Sequence, residues 1–124
     1  MRFTVLPGRF AICRLDPNAA IPDWATRGEF SSVTRAPKEL SIICEDANVP
    51  TDTKAERDFF CIQLEGPFDF QATGILSAFI APLAEHRVPI FALSTYDTDW
   101  VLIRARYWDT ARSVLLAAGN EPVS

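Results

Sequence analysis

The sequence has 124 residues, enough for one compact domain or for two very small modules fused across a common sheet. Hydrophobic residues make up 48% and charged residues 23%, a globular composition that argues against long disorder and against a fibrous repeat. The net charge of -4 would repel a polyanion over most of the surface, so no nucleic-acid partner is expected.

A membrane partner is not expected either. No apolar run approaches the roughly 20 residues that a membrane-spanning helix requires. The N-terminal stretch MRFTVLPGRF has no leucine-rich core and no small-residue cleavage site. We therefore predict a cytoplasmic protein.

The three cysteines are predicted to be reduced core residues. Cys13, Cys44 and Cys61 each lie inside an apolar stretch, where a free cysteine behaves as a small buried hydrophobe. None has a C-x-x-C partner or a histidine nearby in sequence, which argues against a nucleophile or a metal ligand. No cofactor and no metal are predicted.

The first half of the chain is predicted to form three strands and at most one short helix. Pro37 and Lys38 separate two strand-like segments and so indicate a hairpin. Pro22 suits the first turn of a helix and Gly28 its end, which leaves room for only a short helix. The polar segment 46–58 predicts an exposed loop, with room for one helical turn before the next strand. The predicted strands are residues 9–15, 29–36 and 39–45.

The second half is predicted to alternate strands and helices. Pro82 lies inside the first helical stripe and predicts a kink or a break, because proline lacks an N–H donor. Gly119 closes the last helix. The resulting β-α-β-β-α order lacks one strand of a ferredoxin-like β-α-β-β-α-β unit, and residues 2–6 are a candidate for the borrowed edge. The predicted elements are a strand over 59–65, a helix over 72–86, strands over 88–95 and 99–105, and a helix over 107–118.

Three segments that together span most of the chain are EFSSVTRAPKELSIIC (29–44), LEGPFDFQATGILSAFIAPLAE (64–85) and FALSTYDTDWVLI (91–103). They resemble the GATS-like ACT domain family, the family of an animal cytosolic arginine sensor and of short bacterial proteins. The resemblance implies an α+β fold of tandem ferredoxin-like units, with antiparallel sheets and helices on one face. It implies a degenerate first unit over 1–58 and an ACT domain over 59–124, with strands shared between them. The implied function is amino-acid sensing, not catalysis.

The resemblance also implies a ligand site. In the arginine sensor the ligand lies between ACT units, held by the loop that enters a helix and by an S-T-x-x-x-Asp hairpin. The sensor has an acidic residue and a cysteine before the Gly-Ile pair, where this chain has Ala72 and Thr73, so the carboxylate that would recognise a guanidinium is absent. The positions carried over are Thr95, Tyr96, Thr98 and Asp99 in the hairpin, and Ala72, Thr73 and Gly74 at the helix entry.

The residue types at these positions suit a free amino acid. Backbone N–H groups at a helix start have no intrahelical partner, so the entry at Gly74 suits a carboxylate. Asp99, at the start of the facing strand, suits an ammonium or another cation. Local roles are equally open: Thr73 also suits an N-cap, Asp97 is a typical turn residue, and an Asp at a strand start often bonds its own backbone.

Catalysis is not predicted. His86 is the only histidine and follows a helix, where a cation favours the negative end of the dipole. No G-x-S-x-G, P-loop or H-E-x-x-H motif surrounds any candidate partner. A capping role for His86 is therefore the preferred interpretation.

Two functions of different classes follow. The leading hypothesis is a regulatory sensor that binds an amino acid or a related small metabolite at an interface between ACT units. Because the arginine sensor contains two tandem pairs of such units, this chain would reach that arrangement as a homodimer. The alternative is an oligomerising interaction module without a ligand. A carboxylate of Asp99 that faces a pocket favours the first, and one bonded wholly to its own turn favours the second.

Overall fold

The structure, a computed structural model, describes residues 1–66, 68 and 73–123. The chain divides into two compact units, the smaller formed by Gly8–Phe59 and the larger by Met1–Pro7 with Phe60–Ser124. The described strands are β1 (Arg2–Val5), β2 (Phe10–Leu15), β3 (Ser32–Ala36), β4 (Glu39–Glu45), β5 (Ala55–Leu64), β6 (Phe91–Ser94), β7 (Asp99–Arg104) and β8 (Glu121–Pro122), and the described helices are α1 (Ile75–Glu85) and α2 (Trp108–Ala117). Strand β5 contributes residues to both units.

The smaller unit is built from antiparallel strands in the order β3, β4, β2, β5. The predicted hairpin at Pro37 and Lys38 is confirmed, since Ala36 pairs with Glu39 across it. Alternate residues of β4 are fully buried, as expected for a strand with one face on a core. The predicted short helix is a single 3-10 turn over Asp23–Thr26, which packs Trp24 and Ala25 into that core. This unit, every residue of which is described, contains no α-helix.

The prediction of an exposed loop over 46–58 is wrong in its last four residues, because β5 begins at Ala55. The helical turn allowed in this segment is a 3-10 turn over Asp46–Asn48. Arg57 donates through Nη1 to Asp46 Oδ1 at 2.8 Å and through Nη2 to the carbonyl of Pro50 at 2.7 Å. Asp46 and Arg57 are thus half-buried and bonded within the fold, although the segment is polar and several of its residues are exposed.

The larger unit has strand order β8, β1, β5, β7, β6. Strand β1 pairs antiparallel with β5, so the N-terminal residues supply the strand that the sequence pattern lacked. The expected role of residues 2–6 as an edge is nevertheless wrong, because β8 pairs with the other side of β1. The expected absence of a last strand is also wrong. Two residues, one of them Pro122, are too few to show a strand periodicity in the sequence.

From β5 onward the element order is β-α-β-β-α-β, which is the complete ferredoxin-like unit that the family resemblance implies. Both helices pack their buried residues into one apolar cluster with Phe3 of β1 and Ile62 and Leu64 of β5. The rings of Phe3 and Phe79 meet edge to face, with centroids 5.8 Å apart. This cluster is the core of the larger unit.

Both helices end within one residue of the positions predicted from the sequence. Helix α1 continues through Pro82 to Glu85, so the expected break does not occur. Pro82 lies in the last turn, and its own carbonyl still accepts the N–H of His86 at 3.2 Å. Helix α2 ends before Gly119, whose φ of +93° closes the helix as predicted. Neither described helix is long and apolar enough to cross a membrane.

Candidate functional site

A cavity of about 290 Å³ lies in the larger unit between the start of α1 and the turn that joins β6 to β7. The start of the helix lines it through residues 74–77, and the turn lines it through residues 94–99. Phe68 contributes an apolar wall. The cavity thus brings together the helix start, which was predicted to bind a carboxylate, and the hairpin turn, which was predicted to bind an ammonium.

The helix side of the cavity offers backbone donors. Gly74 is the N-cap of α1 and has a φ of +75°, a conformation that glycine adopts without strain. A Cβ at Gly74 would contact nothing within 4 Å, so the glycine is required for its backbone conformation rather than for space. The first intrahelical bond runs from the N–H of Ala78 to the carbonyl of Gly74 at 2.9 Å. The preceding N–H groups of Ile75, Leu76 and Ser77 therefore have no intrahelical acceptor, which suits a carboxylate.

The turn side of the cavity offers a carboxylate. Ser94 and Asp99 are paired across the β6–β7 hairpin, and Ser94 Oγ donates to Asp99 Oδ1. Among the described residues, no hydrogen bond occupies the second carboxylate oxygen of Asp99. Asp97 also lines the cavity, and no lysine or arginine stands among the described lining residues. The turn side is therefore negative and can accept a cation.

Two threonines of the turn are used internally. Thr95 Oγ1 donates to the carbonyl of Thr98 at 3.1 Å and accepts the indole N–H of Trp100 at 2.8 Å. Thr98 is 5% exposed, and its Oγ1 donates to the carbonyl of Leu64 at 2.7 Å. Tyr96, in contrast, is 82% exposed at the tip of the turn. The threonine hydroxyls thus shape the turn, while Tyr96 stands at the rim of the cavity.

Five of the seven residues proposed from the sequence line this cavity. They are Gly74, Thr95, Tyr96, Thr98 and Asp99. Thr73 is exposed and is not one of the lining residues; its interpretation as the N-cap is wrong, because Gly74 occupies that position. Ala72 lies outside the described residues.

Sequence reasoning missed Ser77, Ser94 and Phe68 as lining residues. Ser94 could have been found from the hairpin register, because it lies opposite Asp99 once the connection is known to span four residues. Ser77 is the third residue of α1, a position that is identified only when the helix start is known. Phe68 carried no signal in the sequence.

Other groups considered for chemistry have structural surroundings. His86 is the C-cap residue of α1, and its Nδ1 lies 2.9 Å from the carbonyl of Pro82. Over the described residues, no cluster of three or more His, Cys, Asp or Glu side chains is arranged to hold a metal ion. The chain therefore offers no reactive constellation in these regions.

All three cysteines are free and buried. Burial raises the pKa of the Cys61 thiol to about 12. A hydrogen bond between the two thiols of the smaller unit raises the pKa of Cys44 and lowers that of Cys13. The thiolate of Cys61 is therefore strongly disfavoured at neutral pH.

The chain is similar to proteins of known family and structure. A family model described as an ACT domain matches residues 54–117, and a second model, for an N-terminal domain, matches residues 8–52. The Bos taurus protein named cytosolic arginine sensor for mTORC1 subunit 1 is 31% identical over 120 residues, covering 79% of this chain. The chain spans 35% of the length of that relative.

Two solved structures share the fold. A crystal structure of a protein from Agrobacterium tumefaciens is 36% identical, with a TM-score of 0.92, and covers 98% of this chain and 91% of its own. The ligand-free regulatory subunit of aspartate kinase from Thermus thermophilus has a TM-score of 0.58 over 90% of this chain and 93% of its own. At 13% identity, the second likeness concerns the fold alone.

Proposed function

Because the chain belongs to the ACT domain family, we propose that it is a regulatory protein that binds an amino acid or a related small metabolite. The relative whose name describes an arginine sensor supports the amino-acid class. The cytosolic location in that name supports a cytoplasmic protein. The proposal includes no catalytic step.

One observation carries the proposal: one cavity is lined both by the start of α1, whose first N–H groups have no intrahelical acceptor, and by Asp99. An amino acid presents a carboxylate and an ammonium close together, and each needs a partner of opposite charge. The helix start would bind the carboxylate, and Asp99 would bind the ammonium. Thr95, Tyr96 and Gly74 would complete the contacts.

The proposed site lies at an interface between ACT units that a homodimer supplies. The curated relative is much longer than this chain, which spans 35% of it, so two copies are the simplest source of additional units. The larger unit needs no strand from a second copy beside β5, because β1 of the same chain pairs there. Light scattering at micromolar concentration should give a dimer mass, and a monomer mass would contradict this part of the proposal.

The contact between Ser94 and Asp99 favours a second candidate, an oligomerising interaction module without a ligand. In that case the carboxylate serves only to stabilise its own hairpin. The second oxygen of Asp99 has no such partner among the described residues, which favours the sensor. The two candidates differ in whether the chain binds a small zwitterion.

A thermal-shift screen against the twenty L-amino acids tests the proposal. A ligand at 100 times its Kd adds about 2.7 kcal/mol to the free energy of unfolding. Each hit should be repeated as its N-acetyl derivative, which lacks the ammonium, and as its amide, which lacks the carboxylate. We expect both derivatives to lose the shift. A dimer that no amino acid stabilises would support the interaction module instead.

A further inference from the structure

The turn between β6 and β7 is held in place from outside the hairpin. Short hairpin connections favour residues with positive φ, because these match the twist of the flanking strands. Residues 95–98 are not among the described residues with positive φ. The N–H of Thr95 donates to the carbonyl of Thr98 at 2.9 Å across this turn. The turn is therefore not one of the two-residue types whose positive φ values fit the twist of the strands.

Three contacts connect this turn to the end of β5. Thr98 Oγ1 donates to the carbonyl of Leu64 at 2.7 Å. The N–H of Phe68 donates to the carbonyl of Asp97 at 2.9 Å. Gly66 lies so close that an added Cβ would be 2.9 Å from Asp97 O and 3.2 Å from Thr98 Cβ. We call these contacts of Leu64, Gly66 and Phe68 with Asp97 and Thr98 the turn latch.

We infer that Thr98 is a positioning residue of the proposed ligand site, which it serves by fixing the turn through the latch. Its side chain is 5% exposed, whereas its neighbours Tyr96 and Asp97 are exposed. The buried Thr98 hydroxyl donates to the carbonyl of Leu64, which lies 34 positions earlier in the chain. This bond fixes the position of Thr98 and therefore of the backbone of the next residue, Asp99. The latch thereby determines how far the Asp99 carboxylate stands from the start of α1. This inference rests on the proposed function for its effect on affinity, but not for its effect on the turn.

A ligand-free measurement tests the effect on the turn. The indole N–H of Trp100 bonds to Thr95 Oγ1, so its NMR signal reports on this segment. Trp100→Phe identifies that signal among the three indoles of the chain. We expect Thr98→Val, which removes the hydroxyl at nearly constant shape, to shift or broaden the signal. Thr98→Ser keeps the hydroxyl and should leave the signal close to its original position.

A matched control separates positioning from general loss of stability. Asn120 is buried in the same unit, and its Nδ2 donates to the carbonyl of Leu115 at 3.1 Å. Asn120→Leu removes a comparable bond outside the cavity lining. It should lower the melting temperature about as much as Thr98→Val while leaving the Trp100 signal unchanged.

The second measurement is calorimetric titration with each of the twenty L-amino acids. For any that binds, Thr98→Val should weaken the Kd roughly tenfold, as expected for loss of one buried hydrogen bond. Thr98→Ser and Asn120→Leu should bind within about twofold of the unchanged chain. An unchanged Trp100 signal in Thr98→Val overturns the latch, and equal affinities overturn its role in the site. If the signal moves but no amino acid binds the unchanged chain, the latch is supported and the amino-acid part of the proposed function is wrong.

Discussion

The two units use their aspartates differently, and the difference separates a scaffold from a candidate site. In the smaller unit, Asp46 accepts Arg57 at one carboxylate oxygen and the N–H of Asp58 at the other, both at 2.8 Å. In the larger unit, Asp99 accepts Ser94 at one oxygen and lines a cavity. A carboxylate with both oxygens bonded within the chain stabilises the fold, whereas one with an oxygen left beside a cavity is available to a ligand.

Both units also have their own apolar core. The core of the smaller unit is made of residues from its strands and from a 3-10 turn, and it includes Cys13 and Cys44. The core of the larger unit includes two helices, and the start of α1 is what gives the cavity its donors. A helix start supplies several aligned N–H groups that a strand cannot supply, because strand donors are used in the sheet. The described smaller unit, which has no α-helix, lacks this feature.

The largest expected effect is on the core of the larger unit. Phe3 is 1% exposed and packs on Phe79 although it lies in the first strand of the chain. Phe3→Ala should lower the free energy of unfolding by about 3 to 5 kcal/mol, as for other buried phenylalanines. Leu116→Ala, at a residue of the same unit that is 37% exposed, should change it little. Urea denaturation of both variants measures the difference, and a small effect of Phe3→Ala would mean that β1 does not complete this core.

The next effect concerns the spare oxygen of Asp99. Asp99→Asn keeps the shape and one acceptor but removes the charge, so it should weaken amino-acid binding by about 1.5 to 3 kcal/mol, or roughly 10- to 150-fold in Kd. Asp52→Asn, an exposed aspartate of the smaller unit, is the matched control and should bind normally. Calorimetric titration with the amino acid found in the screen measures both. Equal affinities would remove Asp99 from the site, and a greatly lowered melting temperature would show a structural role.

A third prediction tests the scaffold role of Asp46 and its partner. Arg57→Ala should lower the free energy of unfolding by about 1 to 2 kcal/mol, because a partly buried carboxylate and the carbonyl of Pro50 lose their donors. Arg9→Ala breaks the more exposed pair with Asp58 and should cost less than about 1 kcal/mol. Urea midpoints compare the two variants. Equal costs would contradict the distinction between these ion pairs.

The smallest effect is a dependence of stability on alkaline pH through Cys61. Its thiol pKa rises from 9.0 to about 12 on burial, so above pH 9 the unfolded chain loses a proton that the folded chain keeps. The contribution of this thiol to stability is therefore complete below pH 9 and falls as the pH rises toward 12. Cys61→Ala should flatten this part of the curve relative to Cys13→Ala.

Labelling by a thiol reagent gives an independent check of the same burial. All three cysteines are buried, so the native chain should react slowly at pH 8 and rapidly in urea. Rapid labelling without denaturant would contradict the buried, reduced interpretation of the cysteines. Mass spectrometry of the labelled peptides would identify which residue is accessible.

Local signals in the sequence predicted much of the fold. The hairpin at Pro37 and Lys38 and the strand over 39–45 agree with β4 to the residue, because turn chemistry and a continuous apolar run both act locally. The start of β5 at Ala55 was missed within the segment 46–58, where Arg57 and Asp46 bond to each other across eleven positions. Polar residues that are bonded within a fold have the same composition as polar residues in a loop.

The candidate site was predicted in part for the same reason. Gly74 and Asp99 belong to motifs that are contiguous in sequence, and both line the cavity. The bond from Thr98 to Leu64 joins residues 34 positions apart, so a hydroxyl that looked available to a ligand is directed into the fold. The contact between Ser94 and Asp99 depends on the hairpin register, which the sequence does not specify.

The sequence by itself determined the ACT family, the α+β class and the succession of most strands and helices, because these follow from periodicity, turn residues and motifs within short segments. The tertiary structure decided which strands are neighbours, and it placed the N-terminal β1 between β5 and β8. It also decided which polar groups are satisfied and which are free, since hydrogen-bond partners are chosen by distance in space. The proposed ligand site depends on this distribution of hydrogen bonds, because one oxygen of Asp99 bonds to Ser94 and the other is left for a ligand in the cavity that the start of α1 also lines.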